Sequence, residues 1–315
     1  MRSRSRTATL GGGRSRGEWR LARYARTAAL VALALGCAGR FTPVPDPIHV
    51  RTGNIDARAL EATLDDVPRP NPERIARMVQ LFQQAGCGGE YLEVALPGKT
   101  PYPNVICTLP GRSHWIIVVG AHVDRPEDGN GVVDDWTGAV LLPHLYRALA
   151  VERREHSFVF IGFGHATLKE QGSHGYLRRL DDERRAHIRA MVDLKGLGLG
   201  PTSVWASQAD RNLRQDLFAV AKALGLPLQS VRFYTNVSAD SKAFRFWGIP
   251  AITIHSFDPE NARLLQQSYL DRDASQIDFP AYYDSARMIS IYLAYLDDTL
   301  RIRNERRDEK TPEAS

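Results

Sequence analysis

With 315 residues, 43% of them hydrophobic, the chain is long enough to bury a full core, and one large α/β domain is the default. Its formal charge of +5 is local: residues 1–36 hold eight arginines and one glutamate, and of the 41 basic and 36 acidic residues only 33 and 35 lie beyond them. The basicity belongs to the leader, so nucleic acid is not expected as a partner.

The first segment reads as a targeting signal. An Arg-rich stretch to Arg26 precedes the apolar run AALVALALG (28–36) and then Cys37. The run is too short for a stable membrane span and suits a secretory signal. Gly36 before Cys37, with Leu33 and Ala34 upstream, resembles a bacterial lipobox, which would make residues 1–37 a signal peptide ending at a lipidated Cys37. Ordinary signal cleavage nearby is the alternative. Either way the expected location is the bacterial cell envelope, lipid-anchored or periplasmic. Cys87 and Cys107 remain, compatible with one bridge or with two separate buried thiols.

Residues 38–70 are rich in proline and polar residues and read as a tether and lead-in. A domain follows over 71–300, and then a charged tail over 301–315. Residues 71–86 have an Asn cap, an early Pro and a Gly stop, which predicts a helix. YLEVAL (91–96), NVICTL (104–109) and HWIIVVGA (114–121) read as strands. Apolar spacing predicts a helix over 137–150, and FVFIGF (158–163) a further strand. Helical patterns lie in 170–190, strands near 188–194 and 202–206, a helix over 209–224, a buried strand at 251–255 and a long closing helix over 282–300. Such alternation implies a three-layer α/β/α fold around a central, mostly parallel mixed sheet, with ligands outside the carboxyl ends of the strands. His122, Ala166 and Lys195 fall at such ends. Trp136, Trp205, Phe244, Phe246 and Trp247 read as core at their spacings, with cleft lining as the other reading. Asp240-Ser241 reads as a helix cap.

The run IIVVGAHVDRPEDGNGVVDDWTG (116–138) carries the chemistry. An apolar strand ends in His-x-Asp, and a short loop leads to a second aspartate ahead of a helix. Imidazole nitrogen and carboxylate oxygen on stiff elements are what zinc needs. A hydrolytic site also needs a base, and the next strand runs into GHATLKEQGS without paired carboxylates.

From about residue 72 to 298 the chain resembles the co-catalytic zinc aminopeptidases of peptidase clan MH, a group that includes the glutaminyl cyclases. NVICTLPG, VVGAHVD, GVVDDWTGA, FVFIGF, Gly172-Ser173, GLGLGPTSVW and GIPAITIH carry the resemblance. It implies the zinc-exopeptidase (phosphorylase/hydrolase-like) fold and two zinc ions bridged by a carboxylate and a water, with a glutamate as base. His122 matches the first histidine ligand, Asp124 the aspartate that orients that imidazole, and Asp134 the bridging carboxylate. Asp135 stands where the family usually has asparagine. The Glu-Glu pair falls on Ala166 and Thr167, so a methyl group replaces the base and a hydroxyl replaces a metal carboxylate. At the third strand end two registers fit: one puts Lys195 at the ligand position, the other Asp193. The last histidine falls on Ser268 or a neighbour. His255 is the nearest imidazole and reads as a buried structural one. In the family the region of Asp240 and Ser241 approaches the substrate.

These replacements imply an aminopeptidase-like lipoprotein that has lost hydrolysis and keeps its cleft for a peptide or protein ligand, with the Lys195 ammonium paired to Asp134. The rival is an active exopeptidase with a single zinc on His122, Asp134 and Asp193.

Overall fold

The computed structural model describes residues 49–98, 101–125, 129–164, 170–233, 238–266, 271 and 273–308. Cys37, Ala166, Thr167 and Ser268 lie outside the described residues. The chain divides into two units, Met1–Asp46 and Pro47–Ser315; the second holds everything that follows.

Eight strands form one sheet: β1 (Leu92–Ala95), β2 (Asn104–Leu109), β3 (Ile116–His122), β4 (Ser157–Phe163), β5 (Ile188–Lys195), β6 (Ser203–Trp205), β7 (Gln229–Val231) and β8 (Ala251–His255). Their order is β1-β2-β4-β3-β5-β8-β6-β7. β4, β3, β5 and β8 run parallel at the centre, and antiparallel pairs flank them. The central strands are near-continuous runs of Val, Ile and Phe, as expected where both faces are covered. Alternate residues serve different layers. Ile117, Val119 and Ala121 of β3 and Ala190, Val192 and Leu194 of β5 join one core. That core also draws on α1 (Ala57–Asp65), α2 (Asn71–Ala85), α3 (Thr137–Leu149), α6 (Arg211–Leu224) and α9 (Phe279–Asp308). Val118 and Met191 face a second core, shared with Leu177 of α4 (Gln171–Arg179) and with Ala243 and Phe244 of α7 (Ser241–Phe246). Two short helices, α5 (Asp182–His187) and α8 (Pro259–Gln266), complete the set. No helix among the described residues is long and apolar enough to cross a membrane.

Three segments differ from the sequence reading. The lead-in forms α1, capped by Asp56 and packed through buried Leu60 and Leu64, so the core begins upstream of residue 71. The closing helix runs on to Asp308, because its arginines and glutamates are good helix formers and no breaker precedes Pro312. Phe246 and Trp247 are neither core nor cleft: Phe246 is 79% exposed and Trp247 40%, at the far end of α7, whereas Trp136 and Phe244 are fully buried. Cys87 and Cys107 are joined, tying the end of α2 to β2 with Cα atoms 6.3 Å apart.

Candidate functional site: a lysine-centred cluster at the strand ends

The register of the central strands decides which side chains meet. Gly120 of β3 lies opposite Asp193 of β5, so two residues on, at the carboxyl ends, His122 and Lys195 emerge side by side on the same face. Lys195 is also level with His255 of β8. Asp134 comes from the turn Val132–Trp136 that feeds α3. Lys195 Nζ donates to Asp134 Oδ1 at 2.5 Å and lies 3.4 Å from His122 Nε2. His122 Nε2 lies 2.9 Å from the same Asp134 oxygen. On the other side of the ring, Nδ1 is 3.0 Å from the Asp124 carbonyl and 3.7 Å from the Asp124 carboxylate. Both ring nitrogens therefore face acceptors, which suits an imidazolium donating twice. Asp124 thus faces the ring with both its backbone oxygen and its carboxylate.

The electrostatics agree with that reading. Burial and the Lys195 charge push the His122 imidazole down, but the bonds to Asp124 and Asp134 outweigh them and hold it well above its ordinary value. Burial alone would raise Asp134; the Lys195 ammonium and His122 instead hold it far below the usual carboxylate range. Against burial, Asp134 and Asp135 keep Lys195 above its ordinary value and so cationic. The Lys195 side chain is 7% exposed and the Asp134 side chain 29%, so the cluster meets solvent mainly at the carboxylate.

The turn bearing Asp134 is fixed from two sides. Asp271 accepts from the amides of Gly131 (2.9 Å), Val133 (2.8 Å) and Asp134 (3.0 Å). Arg74, fully buried on α2 and stacked over Trp136, donates to the carbonyls of Val123 (2.5 Å), Asn130 (3.1 Å) and Gly131 (2.7 Å). Gly131 has φ +61°, and a side chain there would meet Arg125 at 2.5 Å. Asp135 points inward and accepts from the amides of His122, Gly138 and Gly196. Burial raises its carboxyl to about 7. A Cβ on Gly138 would press to 2.6 Å from that carboxylate, so the helix start needs glycine.

The remaining sequence candidates separate. Asp193 is turned to the Thr253 hydroxyl (3.0 Å) and the Ser241 amide (3.3 Å), and burial with Asp240 nearby raises it well above its ordinary value. It is not gathered with His122 and Asp134; Lys195 takes that place, because Lys195 and not Asp193 is level with His122. Asp240 does not cap α7 with its side chain: the Lys242 and Ala243 amides donate instead to the backbone carbonyls of Ala239 and Asp240. Its carboxyl is buried and raised to about 6, with one oxygen unpartnered among the described residues. Glu170 is tied to Ser238 (2.7 Å) and the Ala239 amide (3.3 Å). His255 accepts from the Phe257 amide, and burial lowers it to about 3. Two residues on which the site depends were not among the candidates. Arg74 carried a signal, a cation on the same helical stripe as buried Met78, Leu81 and Phe82. Asp271 lies in a segment without periodicity and carried none.

Zinc does not suit these donors. Among the described residues His122 and Asp134 are the two family ligands gathered there, and an ammonium lies against both. Among the described residues no group of three or more His, Cys, Asp or Glu is placed to hold a metal ion.

Comparison with known proteins bears on the fold and the family. Among curated proteins none matches the sequence significantly. Solved structures share the fold. The Legionella pneumophila LapA aminopeptidase is 14% identical with TM-score 0.65, over 77% of this chain and 71% of that one. A glutaminyl cyclase from Macrostomum lignano is 18% identical with TM-score 0.59, over 81% and 98%. A zinc aminopeptidase from Bacillus subtilis is 19% identical with TM-score 0.55, over 61% of this chain, which spans about half (49%) of that protein's length. The family description Peptidase family M28 matches residues 104–289, more than half of the chain and every strand from β2 to β8. With that match over the elements that carry the His122–Asp134–Lys195 cluster, the chain belongs to peptidase family M28.

Proposed function

We propose that this member of the family binds at the strand ends without hydrolysing, and that the Lys195 ammonium stands where its relatives hold a metal. The observation that carries this reading is the contact of Lys195 with Asp134 and His122. A zinc ion about 4 Å from an ammonium would be opposed by roughly 8 kcal/mol at an effective dielectric of 20. No water is then acidified, and the alignment with Ala166 and Thr167 leaves no carboxylate to take its proton. The ammonium neutralises Asp134, which would otherwise be left a poorly solvated anion.

The chain is exported and anchored through a lipid on Cys37, with a peptide or protein as its ligand. The sequence before residue 37 supports the export, and the kinship with peptidases supports the ligand class. Hydrolysis of aminoacyl and short peptide substrates in added zinc tests the first part. The expected rate is that of buffer, and turnover abolished by a chelator would refute it. Mass spectrometry of the protein from membranes tests the second, with a diacylated N-terminal Cys37 expected and an unmodified cysteine contradicting it.

A further inference from the structure

Three aromatic rings meet where β3 and β5 begin, at the opposite end of these strands from His122 and Lys195. His114 and Trp115 lead into β3, and His187 ends α5 immediately before β5. The two strands are parallel neighbours with Ile116 opposite Ile188, so the residues just ahead of each strand are brought side by side. The His114 and His187 ring centres lie 4.6 Å apart with their planes at 62°. Trp115 contacts both: its ring centre is 3.9 Å from that of His114 and 5.6 Å from that of His187.

The two imidazoles are uncommitted. Among the described residues neither takes part in a hydrogen bond or an ion pair; their contacts are ring to ring. His114 is exposed and His187 half-buried, so both reach solvent. Each neutral ring offers one nitrogen lone pair, and together they offer two donors on adjacent strands. The spacing suits a shared ion. A first-row divalent metal binds imidazole nitrogen at about 2.0–2.1 Å, which sets the centres of two rings on one ion roughly 4.5–5 Å apart. The separation here falls in that range, so two rings can share an ion without movement of either strand, and the exposed His114 ring is the one with room to turn. The charges nearby permit a cation. Arg184 is paired with Asp181 and Arg185 with Asp182, and the Arg189 guanidinium lies 3.4 Å over the Trp115 ring. Glu183, four residues before His187 on α5, is exposed and pairs with nothing among the described residues, which leaves one carboxylate on that helix to balance a bound ion.

We propose that His114 and His187 form a two-imidazole site for a divalent first-row metal ion, with water in the remaining positions and Trp115 against both ligands. Imidazole donors favour copper(II) most strongly in that series. Two donors hold zinc too weakly to keep it at trace concentration, so this site is separate from any zinc content owed to the strand-end cluster. The purified protein is titrated with copper(II) alone, followed by tryptophan emission and by electron paramagnetic resonance. The expected result is saturation near one equivalent, with part of the emission quenched through Trp115 and recovered on chelation, and splitting from two imidazole nitrogens. His114→Asn and His187→Asn each weaken copper binding by about tenfold or more, while His174→Asn, a half-buried imidazole of α4, leaves it unchanged. Thermal melts without metal check that the variants fold, and the nitrogen splitting is read on the parent alone. No saturation near one equivalent, splitting from one nitrogen or none, or single variants that bind copper like the parent would overturn the proposal. None of these results bears on the Lys195 contact or on hydrolysis.

Discussion

Lys195 and Asp134 form a pair that is costly to break from either side. Removing the lysine leaves Asp134 beside a carboxyl-rich interior with only His122 as a partner. Lys195→Met should therefore destabilise the fold by about 3 kcal/mol, the low end for a buried pair because Asp134 is partly exposed. Lys195→Met combined with Asp134→Leu should lose less than the two single changes together, and urea unfolding of the four proteins measures the difference. A purely additive cycle would deny the pairing. At this scale the sequence was legible where covalent spacing does the work. His122 and Asp134 follow from a strand end and the turn that leads into the next helix, while the sequence leaves Lys195 open against Asp193. Asp271 could not be read, because its role is to accept three amides of a turn about 140 residues away, and no local pattern encodes a partner that distant.

At the scale of elements, the disulfide fastens α2 to β2 across 20 residues of sequence. The cysteine count alone left bridge and free thiols open, because pairing depends on how the helix end meets the strand. Closing a loop of this size stabilises by about 3 kcal/mol through the unfolded chain. Cys87→Ala with Cys107→Ala should lower stability by about that amount, and dithiothreitol should shift the parent and leave the double variant unmoved in thermal melts. Strands β3, β4, β5 and β8 were legible as apolar runs bounded by turns. Helix α1 was obscured, since it is nine residues long with two buried leucines and lies within a stretch, residues 38–70, whose prolines read as a tether. The register at the end of β5 was the ambiguity that mattered. It is decided by which residue lies level with His122, a property of strand pairing and not of either segment alone.

For the whole molecule, one buried histidine should make the fold lose stability in mild acid. His144 of α3 is held at about 4, by burial first and the Arg147 charge second. An unfolded histidine titrates near 6.5, so the unfolded chain takes up a proton that the folded one resists. The stability this group contributes is complete above about pH 6.5 and is lost as pH falls toward about 4, costing about 1–2 kcal/mol by about pH 5. His144→Gln should flatten that part of the stability profile, read by urea midpoints across the range. The three-layer architecture was legible as a whole, because alternation of strands and helices leaves few other ways to cover a parallel sheet. The pairing of Lys195 with Asp134 was legible as the consequence of one of two registers, and the structure brings those two side chains together. The most direct test of that claim is the zinc content of the purified protein after dialysis against trace zinc, beside a variant carrying Lys195→Asp, Ala166→Glu and Thr167→Glu. The account predicts far less than one equivalent in the unaltered protein and uptake in the variant. A full equivalent of zinc in the unaltered protein would contradict it.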